Sequence, residues 1–234
     1  AINRERINDI LHLGRGKIRQ AATMYPGLGS YNASGGKELY EKWTNLCIDY
    51  DPELSMKLLD KIGMVDKDGD GWRERPDGEQ FEALIDTPAD DLQLIEGDDL
   101  IKENWEEIGI KTSINTVTGP QLNVRKTETY EYMFHARGPN SSLDHVAAPD
   151  HWVPIDNTGY GLLGGYGLWY RTGGERGIKP PEDSSWKKLQ ELYDKAVQEP
   201  TREKQYEWIH KAYKIHIEEG PLIIGTVGEE PKPV

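Results

Sequence analysis

The sequence is poor in three things, and each shortage narrows what it can be. Cys47 is its only cysteine, which rules out an intramolecular disulfide and a thiolate metal cluster. With no flanking catalytic motif, it reads as a buried small hydrophobe rather than a nucleophile. Basic residues are outnumbered, 28 Lys and Arg against 41 Asp and Glu, for a formal charge of -13. A polyanion needs a basic face, so nucleic acid and anionic membrane surfaces are excluded as partners. No apolar run reaches 18 residues, so no segment reads as a membrane-spanning helix.

What is present is an alternation of elements. The first residues, Ala1 to Ile10, already carry a helical pattern through Ile2, Ile7 and Ile10, with no initiating Met and no leader-like segment. The chain therefore reads as a domain cut from something longer. Asp51 followed by Pro52 is an N-cap with proline at the first helical position, and Leu54, Leu58, Leu59 and Ile62 form one apolar stripe that Gly63 ends. A strand follows at 81–85, a helix at 91–108 with Ile101, Trp105 and Ile108 inward, and an alternating β-branched strand at 110–117. A short helix near 120–126 and a strand at 130–135 complete an α/β series with crossover helices. From 136 to 181 the chain is rich in Gly, Pro and Asn without a sustained period, and so long an irregular stretch points to a functional surface. Helices at 184–198 and 201–217 follow, the first with Trp186, Leu189, Leu192, Tyr193 and Ala196 on one face, the second with Ile209, Tyr213 and Ile217. An apolar, strand-like run at 221–227 comes last.

The stretch Asp66-Lys-Asp-Gly-Asp-Gly71 has the spacing of a calcium loop. An EF-hand requires a bidentate Glu at the twelfth position and a second helix, but here that position is Asp77 and a strand follows. The same spacing suits a helix-to-strand turn that satisfies its own backbone through Asx bonds. Calcium on Asp66, Asp68, Asp70 and Asp77 stays open as a weak alternative, with a calcium-binding structural module as the corresponding function.

Taken in order, several stretches carry a resemblance. They are the opening Ala-Ile-Asn-Arg-Glu-Arg-Ile; Tyr50-Asp-Pro-Glu53 before a Leu-Leu-Asp-Lys-Ile-Gly helix; the Asp/Gly loop with Arg75-Pro-Asp-Gly78; and Trp105-Glu-Glu-Ile-Gly-Ile-Lys111. Gly167-Leu-Trp-Tyr-Arg-Thr-Gly-Gly174 with Pro180-Pro181, and Ile223-Ile-Gly-Thr-Val227, continue the succession. It resembles the family 5 extracellular solute-binding proteins of ABC importers, the oligopeptide, dipeptide and nickel-type receptors. The resemblance implies an α/β fold, one lobe of a type II periplasmic-binding-protein clamshell with a central mixed sheet flanked by helices. Residues 1–234 would form that single lobe, with 136–181 facing the cleft. It further implies a periplasmic or extracellular receptor, free or lipid-anchored, that captures a peptide or oligosaccharide, closes against a first lobe outside this chain and delivers to a membrane permease. Neither a cofactor nor catalysis is expected.

Eight aromatics fall between residues 130 and 170. Tyr130, Tyr132 and Phe134, alternating on a strand, suit a core or mixed role, whereas Trp152, Tyr166 and Trp169 in Gly/Pro-rich surroundings suit ligand contact. Arg137, just past a strand end, and Asn140 complete the candidate ligand-binding set, because a guanidinium can hold a carboxylate or sugar hydroxyls. The pairs Asp144-His145 and Asp150-His151 lack the three or four convergent ligands of a transition-metal site. A secreted hydrolase acting on saccharides or peptides is the rival reading, but no nucleophile elbow, zinc-helix motif or phosphate loop supports it.

Overall fold

The computed structural model of the protein describes residues 1–21, 27–128, 133–134, 144–156 and 163–228. The elements run α1 (Arg4–His12), β1 (Lys17–Ile18), α2 (Gly29–Asn32), α3 (Gly36–Thr44), α4 (Pro52–Lys61), β2 (Glu82–Pro88), α5 (Leu92–Glu107), β3 (Lys111–Val117) and α6 (Gly119–Glu128). Then come β4 (Met133–Phe134), a 3-10 turn (Pro149–His151), α7 (Gly164–Arg171), α8 (Ser185–Gln198), α9 (Arg202–Glu218) and β5 (Val227–Gly228). They divide into two compact units. One holds Ala1–Ile18, Ile48–Leu122 and β4; the other holds Arg19–Cys47, the rest of α6, and the described residues from 144 onward.

The first unit is built by local rules. Asp51 and Asp91 each cap a helix, accepting from the backbone N–H of Leu54 at 2.8 Å and of Leu94 at 3.2 Å. At the far end of α5, Gly109 takes the left-handed conformation at φ 83° that lets the chain turn directly into β3. β2 pairs in parallel with β3 on one side and β4 on the other, giving the order β3-β2-β4 with α5 as the β2–β3 crossover. Ala83, Ile108 and Ile110 form one buried cluster, with Met56, Leu59, Met64, Phe81 and Trp105 packed around them, and Ile7, Ile85, Leu100, Ile101 and Val117 are buried as well. The α4 stripe divides: Leu59 and Met56 face this core, while Leu54, Leu58 and Ile62 are 50%, 53% and 60% exposed. Periodicity finds an apolar row but cannot say which of two adjacent rows is covered.

The second unit is helical and aromatic. α8 and α9 start on Ser184 and Thr201 caps and pack against each other, and α9 packs against α3. Leu189 and Ala196 of α8 and Ile209, Ala212 and Tyr213 of α9 are fully buried, and Trp186, Leu192, Tyr193 and Ile217 lie against them, as the stripes predict. The third wall is Trp43 of α3, and Trp152 and Val153 fill the middle.

Three expectations change. The stretch 136–181 is not irregular throughout, because 164–171 is helix α7 and 149–151 a 3-10 turn. The sequence Gly-Gly-Tyr-Gly-Leu-Trp-Tyr-Arg carries three helix-disfavouring glycines. Packing explains one of them: a Cβ on Gly167 would stand 2.1 Å from the Asp156 carbonyl oxygen. Of the closing run at 221–227, only Val227 is in a strand. Cys47 is exposed rather than buried, lying just past the end of α3.

Candidate ligand-binding site

In a parallel sheet, ligands are met at the carboxyl ends of the strands. That end of the first unit is polar and sealed. Asp86, Thr87 and Asp98 are all fully buried. Asn115, directly opposite Asp86 on β3, donates from Nδ2 to its carboxylate at 2.7 Å, and the Thr87 hydroxyl donates to Asp98 of α5. These bonds hold β2, β3 and α5 at the rim where the connecting loops leave the sheet. Sequence reasoning passed over this network; the signal was there in Ala-Leu-Ile-Asp-Thr-Pro, where an Asp closes a buried apolar strand.

The candidate residues fare differently. Arg137 and Asn140 lie outside the described residues, as do Tyr130, Tyr132, Tyr160 and His135. Trp152 is a core residue: its exposure is 0%, and it packs on His145, Tyr213 and His216 at ring-centroid distances of 5.6, 5.5 and 6.3 Å. Gly/Pro-rich neighbours suggested a surface position, but the 3-10 turn folds the indole inward. Trp152 therefore leaves the ligand-binding set.

Tyr166 and Trp169 remain together on α7, three residues apart and so on one face. Gly164, Gly165, Gly167 and Leu168 bury the opposite face, leaving Tyr166, Trp169 and Tyr170 half-buried. The ammonium of Lys187 lies 5.2 Å from the centre of the Trp169 ring, and Gly177 comes close enough to the α7 backbone that a Cβ would meet Trp169 N at 2.5 Å. The Tyr170 hydroxyl donates to Asp194 of α8, and burial with that carboxylate raises its pKa. The result is a half-buried aromatic surface with the Lys187 ammonium over the Trp169 ring, whose remaining ring area can stack on a sugar or an apolar side chain.

The Asp/Gly loop is the turn its sequence suggests, between α4 and β2. Asp66 accepts from the backbone N–H of Gly69 at 2.7 Å and Gly71 at 3.0 Å, Asp68 from Asp70 at 3.0 Å, and Asp70 from Trp72 at 2.8 Å. Asp77, placed in the ligand set by its twelfth position, pairs with Arg75 instead. Glu74 joins the other three, accepting from Lys67 N–H at 2.7 Å, and one ligand atom from each of the four lies within 4.8 Å of the others. The carboxylates are accounted for by the loop's own backbone without an ion, and the structure gives calcium no support.

No helix among the described residues is long and apolar enough to cross a membrane. No curated protein matches the chain. Solved structures share its fold. An oligopeptide-binding protein OppA superposes with a TM-score of 0.76 at 24% identity, over 98% of this chain and 36% of its own. NikA from Brucella suis, in complex with Fe(III)-EDTA, gives 0.73 at 13%, over 98% and 40%. The periplasmic binding protein MelB from Agrobacterium fabrum, in complex with stachyose, gives 0.71 at 14%, over 97% and 32%. The chain thus spans roughly a third to two fifths of the length of these structures, and its fold is that of part of a type II periplasmic binding protein. Residues 1–158 match the family model described as bacterial extracellular solute-binding proteins, family 5 Middle, and the chain belongs to that family.

Proposed function

We propose that the chain is the ligand-binding lobe of a periplasmic or extracellular receptor that captures a peptide or an oligosaccharide for an ABC importer. One observation carries this reading: a family 5 scaffold that holds Tyr166 and Trp169 half-exposed on one helix face. Such a surface recognises by stacking, and nothing among the described residues is arranged as a nucleophile with its base. The relatives support these two solute classes, one being an oligopeptide-binding protein and another bound to stachyose. Arg137 and Asn140 join Tyr166 and Trp169 as proposed ligand contacts. A first lobe and a membrane permease are the proposed partners, and residues 1–234 the proposed single lobe. The test is equilibrium binding to the whole receptor by oligopeptides and by oligosaccharides, beside peptidase and glycosidase assays. Saturable binding of one class without turnover is expected; turnover without saturable binding overturns the reading.

A further inference from the structure

Two histidines lie sealed inside the second unit, His145 with 2% of its surface exposed and His216 with none. They join the segment 144–153 to α9. His145 Nδ1 and the Tyr213 hydroxyl share a bond of 2.6 Å, and His216 Nε2–H donates to the carbonyl of Trp152 at 2.9 Å. A third link runs from the Tyr206 hydroxyl to the Asp144 carboxylate at 2.5 Å, and the Tyr193 hydroxyl of α8 donates to the Val146 carbonyl at 3.3 Å. Rings close the space between: His145 stacks on Trp152 at 5.6 Å and His216 on Trp43 of α3 at 4.7 Å.

At His216 this arrangement suits only a neutral imidazole, and at His145 it restricts a charged ring to one sense of the bond. The His216 bond through Nε2 leaves Nδ1 as a bare lone pair, and that buried atom has no hydrogen-bond partner among the described residues. A proton there would be a buried N–H⁺ without an acceptor. His145 as a neutral ring can share its bond with Tyr213 in either sense, but an imidazolium can only donate. Burial accordingly pushes His145 down to about 3 and His216 down to about 4. Of the groups facing His145, the Asp144 carboxylate favours the charge, while His151 and His216 oppose it. His151, beside Asp150, is itself lowered by burial. Tyr206 and Tyr213 are raised by burial and stay protonated, and Trp43 carries no charge.

We propose that His145 and His216 make segment 144–153 an acid-released latch, held to α9 at neutral pH and let go when the two imidazoles take up protons. The sign follows from linkage. Exposed histidine titrates near 6.5, so above that pH closed and open forms are both neutral and the latch has its full stability. Below it the open form binds protons that the closed form refuses, and stability falls with pH. At pH 5, about 1.5 units below the open-form value, each histidine enriches the open form about thirtyfold.

Hydrogen exchange at the amides of Trp152 and Val153, which donate to the Pro149 carbonyl at 3.0 and 2.8 Å, reads the latch in the intact protein. Corrected for the chemistry of exchange, protection should fall at least thirtyfold between pH 7.5 and 5. His216→Gln should remove about thirtyfold of that dependence, and the double variant with His145→Gln should flatten it. Unchanged wild-type protection overturns the proposal, and so does an equal fall in the double variant. Where the double variant does not fold, imidazole NMR titration of the wild type decides: midpoints below about 4.5 for both rings support the latch, and a midpoint near 6.5 for either overturns it.

Discussion

The two units reach order by different means. In the first, the buried apolar side chains are aliphatic, Ile7, Ile85, Ile101, Ile108 and Val117 among them, and much of the definition comes from groups that close backbone ends: the Asp51 and Asp91 caps, Gly109, and Arg73, whose guanidinium donates to the carbonyls of Ile108 and Met64 at 2.8 and 2.7 Å and to Asp60 at 2.5 Å. In the second, four large rings, Trp43, Trp152, Tyr213 and His216, are packed together at 0 to 1% exposure. A fold held by many local bonds loses a little with each one removed. A fold held by one interlocked cluster loses much with any member, and this cluster also titrates.

The largest test of that contrast is Trp152→Ala, which should destabilise the second unit by about 4 kcal/mol, since truncating a buried indole leaves a cavity among stacked rings. Denaturant melts measure it, and hydrogen exchange should show the loss confined to residues of that unit. Arg73→Ala should cost the first unit about 2 kcal/mol, by leaving two helix-end carbonyls unsatisfied. A loss as large as that of Trp152→Ala would erase the distinction. Trp169→Ala should weaken ligand binding about tenfold, or roughly 1.4 kcal/mol, with little change in melting temperature. A large stability loss with unaltered affinity would place Trp169 with Trp152. Asp51→Ala should remove about 1 kcal/mol through its lost cap bond. Acid sharpens the comparison at least expense to the fold: from pH 7.5 to 5, protection at Ile85 and Ile114 of the sheet should change by less than about threefold, while that at Trp152 falls.

Legibility in the sequence follows the same division. The first unit's helices and strands announce themselves, because a cap, an apolar period and a closing glycine lie within a few residues of one another. α8 and α9 do likewise: Leu189, Ile209 and Tyr213 were assigned inward by spacing and are fully buried. α7 was hidden, because its glycines oppose a helix locally, and one of them, Gly167, is required by the close approach of Asp156. Asp77 was read into the ion-ligand set by its place in the twelfth position, whereas the turn brings Glu74 there and gives Asp77 to Arg75. Of the candidate site, α7 contributes Tyr166 and Trp169, and Trp152, chosen on the same compositional grounds, belongs to the core.

Short-range pattern therefore determined the series from α4 to β3, helices α8 and α9, the caps and the Asx-bonded loop, since each depends on contacts only a few residues apart. Burial of Trp152, the sealing of His145 and His216, the exposed row Leu54-Leu58-Ile62 and the Asp86–Asn115 bond were decided by tertiary structure alone. Each depends on which distant segment arrives at a surface, as when His216 meets the carbonyl of Trp152 across 64 residues. A chain read a few residues at a time does not contain that information.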